Sequence, residues 1–124
     1  MRVMLIDDSN TMRKIQKRAL SAISGIEEII EACNGREGLE TLQREAYNFD
    51  FVLLDVNMPE MSGLEVLAAV RADPNSKGVP IIMCTSVADK SQVMEAIKAG
   101  ASNYVVKPFK PEELQKKVEA VLKK

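Results

Sequence analysis

Histidine is absent from all 124 residues, and that removes several chemistries at once. Imidazole acid–base catalysis, Ser-His-Asp triads and His-ligated metal sites all need a side chain this sequence does not have. Cysteine is scarce too: Cys33 and Cys84 stand singly in apolar surroundings, not in a paired ligand or redox motif. Both are expected as reduced, buried side chains of a cytoplasmic protein. No apolar run reaches the roughly eighteen residues a spanning helix needs, so membrane insertion is not expected. The first apolar run stops at Asp7, leaving no hydrophobic stretch or cleavage site for a signal peptide. Neither sign of charge dominates: 17 Lys and Arg face 18 Asp and Glu. Net charge therefore gives no reason to expect direct nucleic-acid binding.

What is present is an ordinary globular composition, 46% hydrophobic and 28% charged. The length suits one domain over residues 1–124 with room for a proper core. No linker, repeat or low-complexity stretch marks a second domain. The most informative feature is the way two apolar runs end. Val3-Met4-Leu5-Ile6 runs into Asp7-Asp8, and Phe51-Val52-Leu53-Leu54 runs into Asp55. If these are adjacent parallel strands, three carboxylates converge and repel one another unless a cation sits among them. A hard divalent ion with oxygen ligands, Mg²⁺ above all, answers that repulsion and keeps room for phosphate oxygens.

Strands and helices alternate along the chain. Residues 2–6 read as a buried strand. Ser9-Asn10-Thr11 offers caps for a helix carrying Met12, Ile15, Ala19, Leu20 and Ile23 inward, stopped by Ser24-Gly25. Residues 26–32 form a second strand despite Glu27, Glu28 and Glu31. Asn34-Gly35 opens a helix with Leu39, Leu42 and Ala46 on one face. Residues 50–55 are the third strand, followed by the loop Met58-Pro59-Glu60-Met61-Ser62-Gly63. A helix over 63–71 turns Leu64, Leu67 and Val70 inward and ends at the turn Asp73-Pro74-Asn75-Ser76. Residues 79–84 are the fourth strand. Ser86 or Asp89 caps a helix bearing Val93, Ala96 and Ile97, and residues 103–106 are the fifth strand. Pro111-Glu112-Glu113 starts a final helix lined by Leu114, Val118, Val121 and Leu122.

Five strands alternating with five helices imply an α/β fold: a doubly wound, five-stranded parallel sheet with helices on both faces. Sites in such sheets lie beyond the carboxyl ends of the strands, where the strand order switches. Asp7, Asp8, Asp55, Thr85 and Lys107 all read as falling just past strand ends.

The segments LIDDS, LLDVNMPEMSG, CTS and ASNYVVKPF, in that order, resemble the receiver domain of two-component response regulators. The resemblance covers the whole chain, implies a flavodoxin-like sheet, and points to a single-domain, chemotaxis-type regulator without an output domain. It implies Asp55 as phosphoacceptor, forming an acyl phosphate, and Mg²⁺ held by Asp8 and Asp55 directly, by Asp7 through water and by the Asn57 carbonyl. Lys107 would pair with the carboxylate and then the phosphoryl group, and Thr85 would donate its hydroxyl to a phosphoryl oxygen. Thr85 and Tyr104 would form the switch, read out on the fourth helix, fifth strand and fifth helix. The implied partners are a sensor histidine kinase as phosphodonor and a protein target on that face. The family has a cis peptide at the position of Lys107-Pro108. Val87, two residues beyond Thr85, is too apolar to hold an attacking water, so the acyl phosphate is expected not to be unusually short-lived.

Simpler readings stand beside these. Asp7-Asp8 can cap the first helix, though only one acid is needed for that. Thr85 fits equally as a β-branched strand residue or a helix cap, and Tyr104 as a packing residue with switching as a second role. Lys116-Lys117 and Lys123-Lys124 suit the negative end of the last helix. Two other functions compete. An aspartate-nucleophile phosphatase needs a general acid two positions after Asp55, where Asn57 stands. A flavodoxin-like electron carrier needs an uncharged phosphate loop, where Asp7-Asp8 stands. A phosphorylation-controlled binding switch, with self-phosphorylation from phosphodonors and slow autodephosphorylation as its only expected catalysis, accounts for more of the residues.

Overall fold

The computed structural model describes residues 1–76, 78–86 and 90–122, with Lys90 described by its backbone alone. The elements run β1 Arg2–Ile6, α1 Asn10–Leu20, β2 Glu28–Ala32, α2 Gly35–Arg44, β3 Phe51–Asp55, α3 Gly63–Ala72, β4 Ile81–Ser86, α4 Lys90–Lys98, β5 Asn103–Lys107 and α5 Pro111–Leu122, with one 3₁₀ turn at Pro74–Ser76. The strands form one sheet in the order β2-β1-β3-β4-β5, every neighbouring pair parallel. Strands this apolar make sense only in a sheet covered on both sides. Alternate residues of each strand feed two separate apolar layers. Val3, Leu5, Phe51, Leu53, Ile82, Cys84 and Val105 pack under α1 and α5, with Ala19, Leu20, Leu114 and Val118. Met4, Ile6, Val52, Leu54, Ile81 and Met83 pack under α2, α3 and α4, with Leu42, Val66, Leu67 and Ala96. Among the described residues no helix is long and apolar enough to cross a membrane.

Local chemistry sets the helix starts. Ser9 caps α1 by accepting from the Met12 N–H, and Asn34 caps α2 by accepting from the Glu37 N–H. Ser62 and Glu65 form a reciprocal capping box at the start of α3.

Several expectations shift once the tertiary structure is in place. α1 stops at Leu20 and Ile23 reaches the core from the turn that follows, its N–H donating to Leu20. Ile15 is 44% exposed and the buried helix face carries Gln16 in its place. Gln16 lies nearer the middle of the Met12–Ala19–Leu20 stripe at the helical angle, so position outweighs polarity there. β2 is shorter than expected because it is an edge strand; its Glu28 and Glu31 are held by Arg2 and by Arg13 and Lys17. Ala46 is exposed and past the end of α2, in a left-handed turn shared with Tyr47. Tyr47 fills the inward place and donates its hydroxyl to Asp73 at 2.5 Å.

β4 runs two residues further than expected and begins after Pro80, which has no N–H for the ladder. Pairing with β5 as far as Ser86↔Lys107 extends it, so Thr85 lies within the strand. Ser86, a candidate cap for α4, is the last residue of β4, and Asp89 lies outside the described residues. Ile97 and Leu122, read as inward, are exposed. Cys84 is buried as expected, but Cys33 is exposed at the mouth of the sheet.

Candidate functional site

Strand alternation decides which side chains meet. Asp7, Asp55 and Lys107 each continue the series of residues that faces α1 and α5. Thr85 and Tyr104 belong to the alternate series, on the side of α3 and α4. β1 and β3 are direct neighbours, in register from Val3↔Phe51 to Ile6↔Leu54, so the two acid-terminated runs finish side by side. This is the switch point of strand order, because the chain leaves β1 for β2 on one side and passes to β3 on the other.

Asp7, Asp8 and Asp55 each present a carboxylate oxygen within 4.8 Å of the others. Asp7 and Asp55 are buried and Asp8 is exposed at the rim. The Lys107 Nζ donates to Asp55 Oδ1 at 2.8 Å and to Asp7 Oδ2 at 3.2 Å. The other oxygen of Asp7 accepts from the Ser9 N–H at 2.9 Å, which joins the acidic turn to the cap of α1. The carbonyl of Asp7 accepts from Arg13 Nη1. The Lys107–Pro108 bond, after the last residue of β5, is cis.

Electrostatics follows from this packing. Burial pushes the Asp55 carboxyl above its ordinary range; Lys107 pulls it back, while Asp7 and Asp8 push it further up. For Lys107, burial works against the charge, but the hydrogen bond and charge of Asp55, helped by Asp7, leave its ammonium harder to deprotonate than usual. Burial above all, with the charges of Asp55 and Asp7 adding to it against Lys107 and Gln16, pushes the Cys84 thiol up to about 12, so it is no nucleophile despite lying under this site.

Three hard oxygen donors in one mouth suit a hard divalent cation. An octahedral shell of about 2.1 Å radius places its oxygens about 3 to 4.2 Å apart. The observed spread is close to that, and the acid cluster can hold such an ion with a modest contraction.

The loop from β3 to α3 carries the remaining wall. Asn57 is exposed two residues past Asp55, and its Oδ1 accepts from Gln92 Nε2 on α4 at 3.4 Å. The Gly63 N–H donates to the Val56 carbonyl and brings α3 against the end of β3. A Cβ at Gly63 would collide with the backbone oxygen of Asp55. Met58 is buried under this loop.

Thr85 is buried, its hydroxyl 3.5 Å from the Ser86 carbonyl, a long and weak contact. Tyr104 is half-buried and pairs with Met83, with Lys117 Nζ 4.8 Å above its ring. That contact, not the end of a helix, occupies Lys117; Lys123 and Lys124 lie outside the described residues. The structure therefore gathers Asp7, Asp8 and Asp55 in one cluster with Lys107 bonded to Asp7 and Asp55, pairs Asn57 with Gln92 of α4, and places Thr85 and Tyr104 on the opposite side of β4 and β5.

Sequence reasoning passed over Arg13 and Gln92. Arg13 left one faint signal: α1 has no acid in its first turn and a cation directly after it, where the helix dipole disfavours one. Gln92 left none, since its partner lies in a loop from a different part of the chain.

Residues 3–119 match the response regulator receiver domain. The chain is 46% identical over 122 residues to the chemotaxis protein CheY1 of Helicobacter pylori, covering 98% of this chain and 97% of that one. It is 40% identical to the chemotaxis protein CheY of Pseudomonas aeruginosa, over 100% of this chain and 98% of the relative. Among solved structures, the chemotaxis protein CheY4 of Vibrio cholerae shares the fold with a TM-score of 0.84 at 37% identity, covering 98% of both chains. A response regulator from Chloroflexus aurantiacus superposes with a TM-score of 0.90 at 30% identity, over 99% of this chain and 98% of the other.

Proposed function

Since this chain belongs to the response regulator receiver domain family, we propose that Asp55 is the phosphoacceptor of a binding switch. The observation that carries this reading is the position of Lys107, bridging Asp55 and Asp7 at the mouth of the acid cluster. The phosphodonor is a phosphohistidine of a sensor kinase. Its P–N bond breaks as a P–O bond forms to a carboxylate oxygen of Asp55, and the departing imidazole nitrogen takes a proton from solvent. Lys107 first holds the Asp55 carboxylate in place and then follows the charge onto the phosphoryl oxygens, which a flexible ammonium with three donors can do. Asp8 and Asp55, with Asp7 through water and the Asn57 carbonyl, would hold Mg²⁺. When bound, the ion supplies positive charge to offset the phosphoryl oxygens.

Thr85 donates its hydroxyl to a phosphoryl oxygen in this reading; its weak present contact leaves it available. Its movement, on the side of the sheet that also carries Tyr104, alters the face of α4, β5 and α5. Met94 and Ile97 are exposed on α4 and Lys117 caps the Tyr104 ring, which suits a protein target there. The similarity to chemotaxis proteins supports a role of that kind, in the cytoplasm. Return to the resting state is slow hydrolysis of the acyl phosphate; Val87, which bears on its rate, lies outside the described residues.

Neither the phosphatase nor the electron-carrier reading is supported. The position a phosphatase needs for its general acid is an exposed Asn57 bonded to Gln92, and the acid cluster would repel a flavin phosphate.

The test is direct. Incubated with Mg²⁺ and acetyl phosphate, the protein should gain the mass of one phosphoryl group. The gain should vanish with Asp55→Asn and with Mg²⁺ removed by chelation. Phosphorylation that persists in Asp55→Asn would sink the assignment.

A further inference from the structure

Arg13 takes no part in the chemistry above, yet its guanidinium ties together three parts of the chain. Nη1 donates to the carbonyl of Asp7, Nε to Glu31 Oε1 at 2.9 Å, and Nη2 to Asn10 Oδ1 at 3.3 Å. Its side chain is only 13% exposed. Lys17 Nζ holds the second oxygen of Glu31 at 2.9 Å. Glu31 stands on β2 in register with Leu5. Its carboxyl is held below the ordinary range by the Lys17 hydrogen bond first, then by Arg13, against some burial. Arg13 therefore meets a firmly ionised partner.

The carbonyl of Asp7 marks where β1 leaves the sheet. The Asp7 N–H is still in the ladder, donating to Ala32 at 3.1 Å, and two residues later Ser9 is already the cap of α1. The peptide between Asp7 and Asp8 sets the direction of the Asp8 side chain, and Asp8 is the exposed member of the cluster. Arg13 grips that peptide by its oxygen, and Glu31 fixes the Arg13 fork from the edge strand. A planar guanidinium can span two such partners, whereas an ammonium cannot reproduce the geometry.

We propose that Arg13 and Glu31 form a positioning clamp for the divalent-cation site, holding the Asp7–Asp8 peptide so that Asp8 faces Asp7 and Asp55. This rests on the cation reading above. The clamp makes a prediction opposite in sign to simple electrostatics. Arg13 carries positive charge beside a cation site, so neutralising it should tighten cation binding if charge alone mattered. Loss of the clamp should weaken it, because residues that orient ligands typically contribute about 10- to 100-fold to metal affinity.

Mg²⁺ titration calorimetry on wild type, Arg13→Lys, Arg13→Ala and Glu31→Gln separates the two, with the metal-free melting midpoint of each as a folding control. We expect about tenfold weaker Mg²⁺ binding in Arg13→Lys and Arg13→Ala alike, and a smaller loss in Glu31→Gln. Arg13→Lys binding like wild type, Arg13→Ala binding as well or better, or Glu31→Gln unchanged each overturns the clamp. If Arg13→Ala fails to fold, the other two variants carry the test. Wild type that binds no Mg²⁺, or Asp8→Asn that binds it normally, overturns the cation reading itself and is told apart from failure of the clamp.

Discussion

At Asp55, burial and two neighbouring carboxylates both disfavour ionisation, and Lys107 recovers only part of the loss. The consequence for stability has a definite sign. A carboxyl whose pKa is higher in the folded state binds more protons there than in the unfolded chain. Stability of the metal-free protein therefore falls as pH rises from the ordinary carboxylate range through the raised value, then levels off. Asp55→Asn removes this penalty. Without Mg²⁺ at pH 7 the variant should melt roughly 3 °C above wild type, and the gap should close as the pH is lowered toward 4. Thermal melts across that range check it, and a variant less stable than wild type at pH 7 would contradict the account. The repulsion among these acids was legible in the sequence, because acids rarely end apolar strands. Which acids are buried was not: Asp7 and Asp55 lie inside and Asp8 at the rim, a distinction set by strand alternation and the turn into α1.

The elements were legible where local signals are strong. Caps at Ser9 and Asn34 and the acid-rich start of α5 mark helix starts, because unpaired N–H groups must find partners nearby. Their ends were less clear. α1 gives way at Leu20, before the glycine that seemed to stop it, and β4 continues to Ser86 because β5 supplies a ladder that no local signal announces. The start of α3 also has a long-range constraint. Gly63 packs so closely on the end of β3 that a methyl group there would strike the carbonyl of Asp55. Gly63→Ala should therefore cost roughly 2 kcal/mol of stability by denaturant melt. It should also weaken Mg²⁺ binding, since relief of the clash must move the β3–α3 loop. Gly78→Ala is the contrasting control: it is strained by its positive φ but meets nothing within 4 Å and lies far along the chain from the acids.

Across the whole molecule, the sheet separates the groups that receive charge from those proposed to report it. Asp7, Asp55 and Lys107 face α1 and α5, while Thr85 and Tyr104 belong to the side of α3 and α4. A signal carried this way must pass through Thr85, so Thr85→Ala should still accept a phosphoryl group on Asp55 but communicate it poorly. In amide NMR spectra, beryllofluoride with Mg²⁺ should shift residues 103–107 and 111–122 in wild type and leave much of that face unmoved in Thr85→Ala. Equal shifts in both proteins would rule out the Thr85 route. By itself the sequence determined the alternation of strands and helices, the acids at two strand ends and the lysine at a third. Those features follow from periodicity and from the cost of burying like charges, which act locally and leave their mark on residue order. Only the tertiary structure decided that Lys107 bridges Asp7 and Asp55, that Gln16 takes the buried place Ile15 seemed to own, and that Arg13 and Glu31 grip the turn at Asp7. Each of these joins residues from separate elements, and strand order, register and side-chain direction had to be fixed before any of them could meet.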